Sequence, residues 1–308
     1  MEILSSIFDL SLINSTIRAA TPILYAALAA IITQQADILN IGTEGIMLMG
    51  AFVAIAVSFL TGSWVLAVLA AIIGGVLMSL IIGFAHVKFK GDIMVVGIAV
   101  NMLSLAVTKF LLRELFGVAG SFYSDKIVQI PKINIGFLKN VPILNDYSLF
   151  EILGPIFVLL IWYLLFRTTW GLRTRSVGLN PKAAETAGIN IIKTKFQVII
   201  ISGVLGGIAG AHLSLGYSSM FVENMTNGRG FMGVAAMYFG GVNPIFAYLG
   251  TLIFGFVDSV GARLQSYGFA SELILMIPYI ATVTILAISM IRKFIVKNKA
   301  KSSLIPLK

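Results

Sequence analysis

The sequence contains no cysteine, only two histidines and few charged residues, with 22 basic and 13 acidic residues in a chain of 308. Charged residues make up 11% of the chain, whereas an ordinary globular domain has about 25%. The absence of cysteine excludes thiol catalysis, iron–sulfur clusters and cysteine-ligated metals. So few charges could not cover the surface of a soluble enzyme, and the hydrophobic fraction of 58% excludes a disordered chain. The sequence therefore predicts an integral membrane protein.

Catalytic motifs are also missing from the sequence. The nearest approach to a phosphate-binding loop, residues 188–194, has Ile192 where the second glycine belongs. There is no His-Glu-x-x-His zinc motif, no nucleophile elbow and no pair of carboxylates on one helix. We therefore expect neither an enzyme nor a cofactor-binding protein, and the chain should not hydrolyse ATP itself.

Positive charge is concentrated in two segments, each next to an apolar run. Residues 167–195 contain six basic residues and one acidic residue, and residues 292–308 contain six basic residues and no acidic one. A nucleic-acid binder would interleave such charges with stacking aromatic residues on one face, so nucleic acid is not an expected partner. Excess Lys and Arg beside membrane spans marks the cytoplasmic side. Both segments, and hence the C-terminus, are predicted to be cytoplasmic.

The apolar runs predict an all-α polytopic fold in a single transmembrane domain, residues 1–308. A spanning helix needs about 20 mostly apolar residues. We count nine spans within a range of eight to ten, because residues 3–13 could be a tenth span or an interfacial helix. The predicted spans are residues 19–36, 45–60, 64–87, 93–108, 152–166, 196–218, 230–239, 245–257 and 273–291.

The segments on either side of the cytoplasmic loop resemble each other. Residues 17–112 and 196–291 each hold four apolar segments, with a polar, glycine-rich break after the first. Counting crossings gives the two halves opposite orientations and places residues 113–149 outside. This is the inverted repeat of many transporters, with short broken helices near the substrate site. The alternative is that any polytopic protein shows glycine-rich breaks.

Two polar breaks are the candidate translocation pathway. The first, residues 34–45, carries Asn40, Gly42, Glu44 and Gly45 between apolar runs. Non-helical backbone at membrane depth must be buried in protein or line a wet cavity. Glu44 would either line the pathway or cap a helix at the interface. The second break, residues 224–230, carries Asn227 and Arg229, and two further positions, Asn101 and Asn243, complete the set of candidates.

Three of these other positions also have a structural interpretation. Asn227 and Arg229 could belong to an ordinary external loop, where a long arginine side chain reaches the interface. Asn101 could hydrogen-bond a neighbouring helix backbone instead of lining a pathway.

The cytoplasmic loop contains signals for a short helix. Asn180 is a good N-cap, Pro181 suits the first helical position and Gly188 is a natural stop. A small helix between basic flanks is a suitable docking element for a cytosolic partner. The residues that we expect at this partner contact are Gly178, Asn180, Pro181, Lys182, Ala184, Glu185, Ala187 and Gly188.

At residues 37–52 the sequence reads Asp-Ile-Leu-Asn-Ile-Gly-Thr-Glu-Gly-Ile-Met-Leu-Met-Gly-Ala-Phe. This run resembles the hallmark of inner-membrane permease subunits of ABC importers in the branched-chain amino acid, ribose and nucleoside group. Residues 18–22 look most like the nucleoside branch. Residues 178–188 are similar to the loop that couples these permeases to the ATPase, and residues 240–244 resemble the break in their second half. The resemblance covers residues 18–291. The sequence departs from the family pattern at Gln34-Gln35, just before residues 37–52, where the family more often carries a charged residue.

The resemblance implies an assembly in a bacterial inner membrane. Its members would be a second, different permease chain, two ATP-binding subunits and an extracytoplasmic substrate-binding lipoprotein. This chain would form half of the pathway for an uncharged solute, best matched by a nucleoside, with a sugar or a branched-chain amino acid as alternatives. An ion-coupled secondary carrier, with Glu44 or Asp37 as its proton site, also remains open.

Overall fold

The computed structural model describes residue 9, residues 11–133 and residues 147–266. Over these residues the chain is almost entirely helical, with four two-residue strands. The helices are α1 (Ser11–Gln34), α2 (Thr43–Thr61), α3 (Trp64–Ile82), α4 (Ile93–Phe116), α5 (Leu149–Arg167), α6 (Thr169–Leu179), α7 (Pro181–Thr186), α8 (Ile191–Ala211), α9 (Arg229–Phe239) and α10 (Pro244–Ser266). The strands are β1 (Ser121–Phe122), β2 (Lys132–Ile133), β3 (Tyr147–Ser148) and β4 (Phe221–Val222), and π-helical turns at Gly83–Lys88 and His212–Ser218 extend α3 and α8.

Seven of the described helices are long and apolar enough to cross a membrane. The prediction of an all-α polytopic membrane protein is therefore confirmed, but the count of nine is not. Helix α9 has only 11 residues, so it cannot cross a bilayer alone. The predicted span at 273–291 and the basic tail at 292–308 lie outside the described residues. So do residues 3–8 of the possible N-terminal span and residues 134–146 of the external segment.

Local backbone chemistry sets several helix ends. The predicted division of residues 45–87 is confirmed: α2 ends where Gly62 adopts a left-handed conformation with φ of 63° and donates to the Ser58 carbonyl. Asp92 caps the start of α4, because its side chain accepts the N–H groups of Met94 and Val95. Helix α5 begins with a capping box formed by Ser148 and Glu151.

Glycine allows the central helices to approach closely. Gly207 on α8 packs against Gly50 of α2 and Gly75 of α3. A Cβ atom on Gly207 would lie 2.8 Å from the Cα of Ile72, which leaves no room for any side chain. Small residues at such crossings are typical of membrane helix packing, because lipid provides no hydrophobic force between helices. The outer faces of α3 and α4 are apolar and exposed, as expected for contact with lipid or another subunit.

The helix pairings follow an exchange pattern between residues 17–112 and 196–291. Helix α1 packs along α10, and correspondingly α3 packs along α8. Helix α2 packs on α8, and correspondingly α9 packs on α1. If α1 is exchanged with α8, α2 with α9 and α3 with α10, the pair α1–α10 becomes the pair α8–α3, and the pair α2–α8 becomes the pair α9–α1.

The molecule has two ends, which we call the α6–α7 face and the strand face. The strand face carries the antiparallel pairs β1–β4 and β2–β3. It also contains the start of α1 and the end of α10, where Arg263 donates to the Ser11 hydroxyl at 2.6 Å. The α6–α7 face contains the end of α1 and the turn 240–243 before α10. Helix α9 therefore runs from mid-depth to the α6–α7 face, and α10 returns to the strand face.

Candidate functional site

Glu44 lies where the N-termini of α2 and α9 meet in the interior. Its side chain is 7% exposed, and its two carboxylate oxygens accept the backbone N–H groups of Gly228 at 2.8 Å and Gly230 at 2.7 Å. A Cβ on Gly230 would lie 2.6 Å from the Cα of Glu44, so the two segments touch. Both helix dipoles direct partial positive charge at this point, which a carboxylate neutralises. Glu44 is thus a cap, as one interpretation predicted, but it caps α9 in the other half rather than its own helix.

Two asparagines hold the first break in place. The Asn101 side chain on α4 accepts the Gly45 N–H at 2.7 Å and donates to the Ile41 carbonyl at 3.2 Å. It therefore caps α2 from a neighbouring helix. The Asn40 amide donates to the Ser202 hydroxyl on α8 at 3.1 Å. Gly42, at the start of α2, packs against Gly97 of α4. The break is therefore ordered by polar contacts with two other helices.

A cavity of about 340 Å³ opens beside Glu44, and we call it the central cavity. It combines polar groups from both breaks with an apolar wall from α2, α4 and α9. Met102 and Phe231 on its rim are 67% and 44% exposed, so the cavity reaches the outer surface of the described chain. Its lining residues are Glu44, Gly45, Leu48, Asn101, Met102, Leu105, Asn224, Asn227, Gly228 and Phe231.

A larger cavity of about 670 Å³, the outer cavity, lies toward the strand face. Its wall includes two arginines, Arg18 and Arg229. The two cavities share Asn227, so the loop 224–228 separates them, and Glu44 anchors that loop through Gly228. The lining residues are Ser15, Arg18, Tyr217, Ser218, Met220, Val222, Met225, Asn227 and Arg229.

Arg229 is held by an ion pair with a neighbouring helix. Its Nη2 lies 2.9 Å from Oδ2 of Asp258 on α10, and its Nη1 donates to the Met225 carbonyl at 3.3 Å. This ion pair holds Arg229 in the wall of the outer cavity.

Glu223 follows β4 beside the outer cavity and links this segment to the strand face. Its carboxylate accepts the Gly120 N–H at 3.0 Å, and Lys109 lies 3.5 Å away. The Gly120 N–H, followed by the Lys109 ammonium, lowers the pKa of Glu223 below its usual value. The link is therefore formed at neutral pH and is lost only when the pH falls through this lowered pKa.

The short helix predicted within residues 178–188 is present as α7. The Asn180 side chain accepts the Ala183 N–H, Pro181 occupies the first turn, and Gly188 adopts a φ of 81° just after the helix. Ala184 is buried, so this side of α7 packs against the rest of the protein. The helix and its flanks present an exposed surface consisting of Leu179, Asn180, Lys182, Ala183, Glu185, Thr186, Ala187 and Gly188.

Helix α6 connects this exposed surface to the first break and, through that break, to the turn 240–243. A Cβ on Gly178 would overlap the carbonyl oxygen of Gln35, so the end of α6 packs directly on the first break. The Gln35 amide in turn donates to the Val242 carbonyl at 3.0 Å, in the turn 240–243. Asn243 lies in that turn and caps α10 by accepting the Ile245 N–H at 3.0 Å.

The candidate pathway residues thus fall in three places. Glu44, Gly45, Asn101 and Asn227 line the central cavity, and Asn227 and Arg229 line the outer one. Asn40 and Gly42 lie within the first break, and Asn243 lies at the α6–α7 face. Asn243 is therefore not brought together with the others.

Sequence reasoning missed a buried polar cluster beside the outer cavity. Oε1 of Glu151 lies 3.8 Å from Nε of Arg18 and 3.7 Å from Nε2 of His212. The Ser148 hydroxyl lies 3.3 Å from Nδ1 of His212. The sequence offered one signal for this cluster, namely ionisable residues next to or within apolar runs, which are costly in a membrane. Among the described residues, no group of three or more His, Asp or Glu side chains could hold a metal ion.

Comparison with protein families identifies the chain. A family model described as "Branched-chain amino acid transport system / permease component" matches residues 12–290. The chain belongs to this permease family. Its members are transport components, which agrees with the absence of catalytic motifs.

Several characterised relatives are similar along most of the chain. The guanosine ABC transporter permease protein NupQ of Bacillus subtilis is 34% identical over 88% of this chain and 89% of its own length. The nucleoside ABC transporter permease protein NupC of Lactococcus lactis is 34% identical over 87% and 89%. The putative glucose ABC transporter permease protein TsgC13 of Haloferax volcanii is 28% identical over 97% of each.

One solved structure has a similar fold. It is PsaBC from Streptococcus pneumoniae in complex with a Fab, with a TM-score of 0.50 and 14% identity. The match covers 88% of this chain and 89% of that chain. At this identity the similarity concerns the fold alone.

Proposed function

We propose that this chain is the permease subunit of an ATP-driven importer of nucleosides. The observation that carries the transport mechanism is the contact of Gly178 on α6 with Gln35 of the first break, since Gln35 is in turn bonded to Val242 in the turn 240–243. The nucleoside assignment is supported by the relatives NupQ and NupC, each 34% identical over most of this chain. The solute is uncharged, and this chain supplies half of its pathway.

The route proceeds from the outer cavity, past the loop 224–228, into the central cavity. Glu44 and Asn101 hold the two helix N-termini that border the central cavity, and the shared wall at Asn227 marks the passage. A push on α7 moves α6 against Gln35 and the turn 240–243. The first break and the turn 240–243 then shift together, because Gln35 is bonded to Val242. This motion exchanges outward for inward access.

The exchange pattern of helix pairings supports an inverted repeat of residues 17–112 and 196–291. The long helices α1 and α8 begin the two halves, and the helices after the breaks, α2 and α9, meet at Glu44. Transporters of this architecture bind their substrates near the repeat interface, at interrupted helices. The central cavity occupies that position here.

The surfaces of the chain suit four kinds of partner. ATP-binding subunits grip the exposed surface around α7, and the face carrying α7 is cytoplasmic, as is the C-terminus. A substrate-binding lipoprotein delivers solute to the strand face. A second, different permease chain covers the open rim of the central cavity at Met102 and Phe231. The exposed apolar faces of α3 and α4 contact this chain or the lipid of the bacterial cell membrane.

Two alternatives concern the solute and the energy source. The relative TsgC13 favours a sugar as the next candidate solute. A secondary carrier with Glu44 as its proton site is less well supported, because both oxygens of Glu44 are occupied by backbone N–H groups. Asp37, the other candidate proton site, is exposed near the α6–α7 face and lies away from both cavities.

Uptake measurements distinguish the ATP-driven mechanism from the ion-coupled one. In cells with the complete transporter, we expect uptake of labelled guanosine to disappear when the ATP-binding subunit is deleted. Uptake should persist when a protonophore is added and ATP is maintained by fermentation. Uptake that survives the deletion but collapses with the protonophore would establish the secondary carrier instead. Competition by excess glucose or leucine, but not by nucleosides, would overturn the choice of solute.

A further inference from the structure

The outer cavity contains two arginines whose charges are balanced from behind. Arg229 pairs with Asp258 at 2.9 Å, and Arg18 lies 3.8 Å from the buried carboxylate of Glu151. Each positive charge therefore has a negative partner outside the cavity lining. The cavity presents hydrogen-bond donors without a net charge, which suits a neutral polar solute better than an anion. Its volume, about 670 Å³, is within the usual range for small-molecule sites.

The two arginines differ in how much of their guanidinium group is occupied. Arg229 donates to both Asp258 and the Met225 carbonyl and lies over the Tyr217 ring at 5.9 Å. Arg18 has one ion pair within the described part of the chain, through Nε, and its side chain is 29% exposed. Arg18 is therefore the arginine that can offer its terminal amino groups to a solute.

A buried cluster fixes the position of Arg18. The Glu151 side chain is 1% exposed and accepts the Ser148 N–H at 2.8 Å through its other oxygen, so it cannot rotate away. The fully buried His212 lies against the same carboxylate at 3.7 Å. Three elements, α1, α5 and the turn after α8, thus converge to hold one guanidinium group at the cavity wall. Ionisable groups placed this way within membrane helices usually serve function.

We propose that Arg18 is a specificity-determining residue that recognises the O6 and N7 acceptors of a 6-oxopurine nucleoside in the outer cavity. This inference rests on the proposed nucleoside transport. A guanidinium group has five donors and no acceptor, in a fork that matches two adjacent acceptors. Guanine presents such a pair in O6 and N7, whereas adenine presents an amino donor at position 6. The half-buried side chain of Tyr217 lines the same cavity and offers an apolar surface for the base.

The test compares two solutes that differ at position 6 of the purine. Proteoliposomes contain the complete importer, with its binding protein saturated by either guanosine or 2-aminopurine riboside, which lacks O6. The ratio of the two maximal uptake rates is measured for the wild type, Arg18→Gln, Arg18→Lys and Arg113→Gln. Arg113 is a matched control, because it is an exposed arginine at the strand-face end of α4. A ratio within one preparation does not depend on how much complex has inserted.

The wild type should favour guanosine, and Arg18→Gln should lower this preference about tenfold, since one bidentate contact discriminates bases by roughly this factor. Arg18→Lys keeps the charge but loses the forked guanidinium group, so its preference for guanosine should fall between those of the wild type and Arg18→Gln. The control Arg113→Gln should keep the wild-type ratio. If Arg18→Gln fails to insert, Arg18→Lys carries the comparison. An unchanged ratio in the Arg18 variants, or an equal loss of both rates, would show that Arg18 is only structural. A wild type that carries no nucleoside would instead refute the proposed function.

Discussion

Replacing Glu44 by glutamine should reduce nucleoside uptake at least about tenfold, since a buried hydrogen bond to a charged group contributes about 1.5–3 kcal/mol. The carboxylate accepts N–H groups from Gly228 and Gly230 at once. Glutamine can accept only one of them, because its amide nitrogen is a donor, and it provides no charge for the two helix dipoles. The loop 224–228 would then lose its anchor between the cavities. Initial uptake rates, normalised to the amount of inserted complex, measure this effect.

Two further variants make this result specific. Arg229→Gln should reduce uptake less than Glu44→Gln, because Arg229 is partly exposed and its removal leaves Asp258 near solvent. Glu114→Gln, at an exposed position on α4, should behave like the wild type and controls for loss of an acidic residue. Wild-type uptake in both Glu44→Gln and Arg229→Gln would mean that these residues only stabilise the fold and take no part in transport.

Deletion of residues 182–187 should abolish both uptake and the solute-dependent increase in ATP hydrolysis. The deletion removes most of α7 and its exposed surface, which is the only part of our proposed route that reaches the ATP-binding subunits. Membrane insertion should be preserved, because this segment lies outside the membrane-spanning helices and Ala184 is its one buried residue in the described structure. Uptake and ATPase activity of the purified complex measure the two effects.

A matched variant separates loss of the helix from loss of chain length. Residues 182–187 are replaced by six residues of alternating glycine and serine, which keep the connection between α6 and α8 but do not form a stable helix. This variant should also fail to transport. Normal uptake in either variant would rule out α7 as the coupling element.

The membrane class and the local ends of many helices could be predicted from the sequence, because both depend on nearby residues. The scarcity of charge predicted spanning helices, and the division at Gly62 follows from one glycine in a left-handed conformation. Helix α7 is a clear case, since its cap, first proline and terminating glycine lie within nine residues of sequence. In contrast, α1 begins before Arg18, because a charged residue can lie within a helix when a buried carboxylate faces it.

The composition of the site could not be predicted in the same way, because it depends on contacts between distant parts of the chain. Glu44 was recognised as important, but its partners Gly228 and Gly230 lie more than 180 residues away. Gln35 looked like a departure from the family pattern, yet it joins the first break to the turn 240–243 through Val242. No periodicity or local motif indicates that Arg18, Glu151 and His212 meet. These contacts depend on how the helices pack in three dimensions, which no local sequence pattern records.

The most direct measurement uses proteoliposomes that contain this chain, its permease partner and the ATP-binding subunits, with the binding protein added outside. ATP is enclosed inside, and accumulation of labelled guanosine, glucose and leucine is followed in parallel. We predict that guanosine alone accumulates against its gradient, only with enclosed ATP, and not when residues 182–187 are deleted. Accumulation of glucose or leucine without guanosine, or guanosine accumulation driven by an ion gradient in the absence of ATP, would contradict our account of this protein.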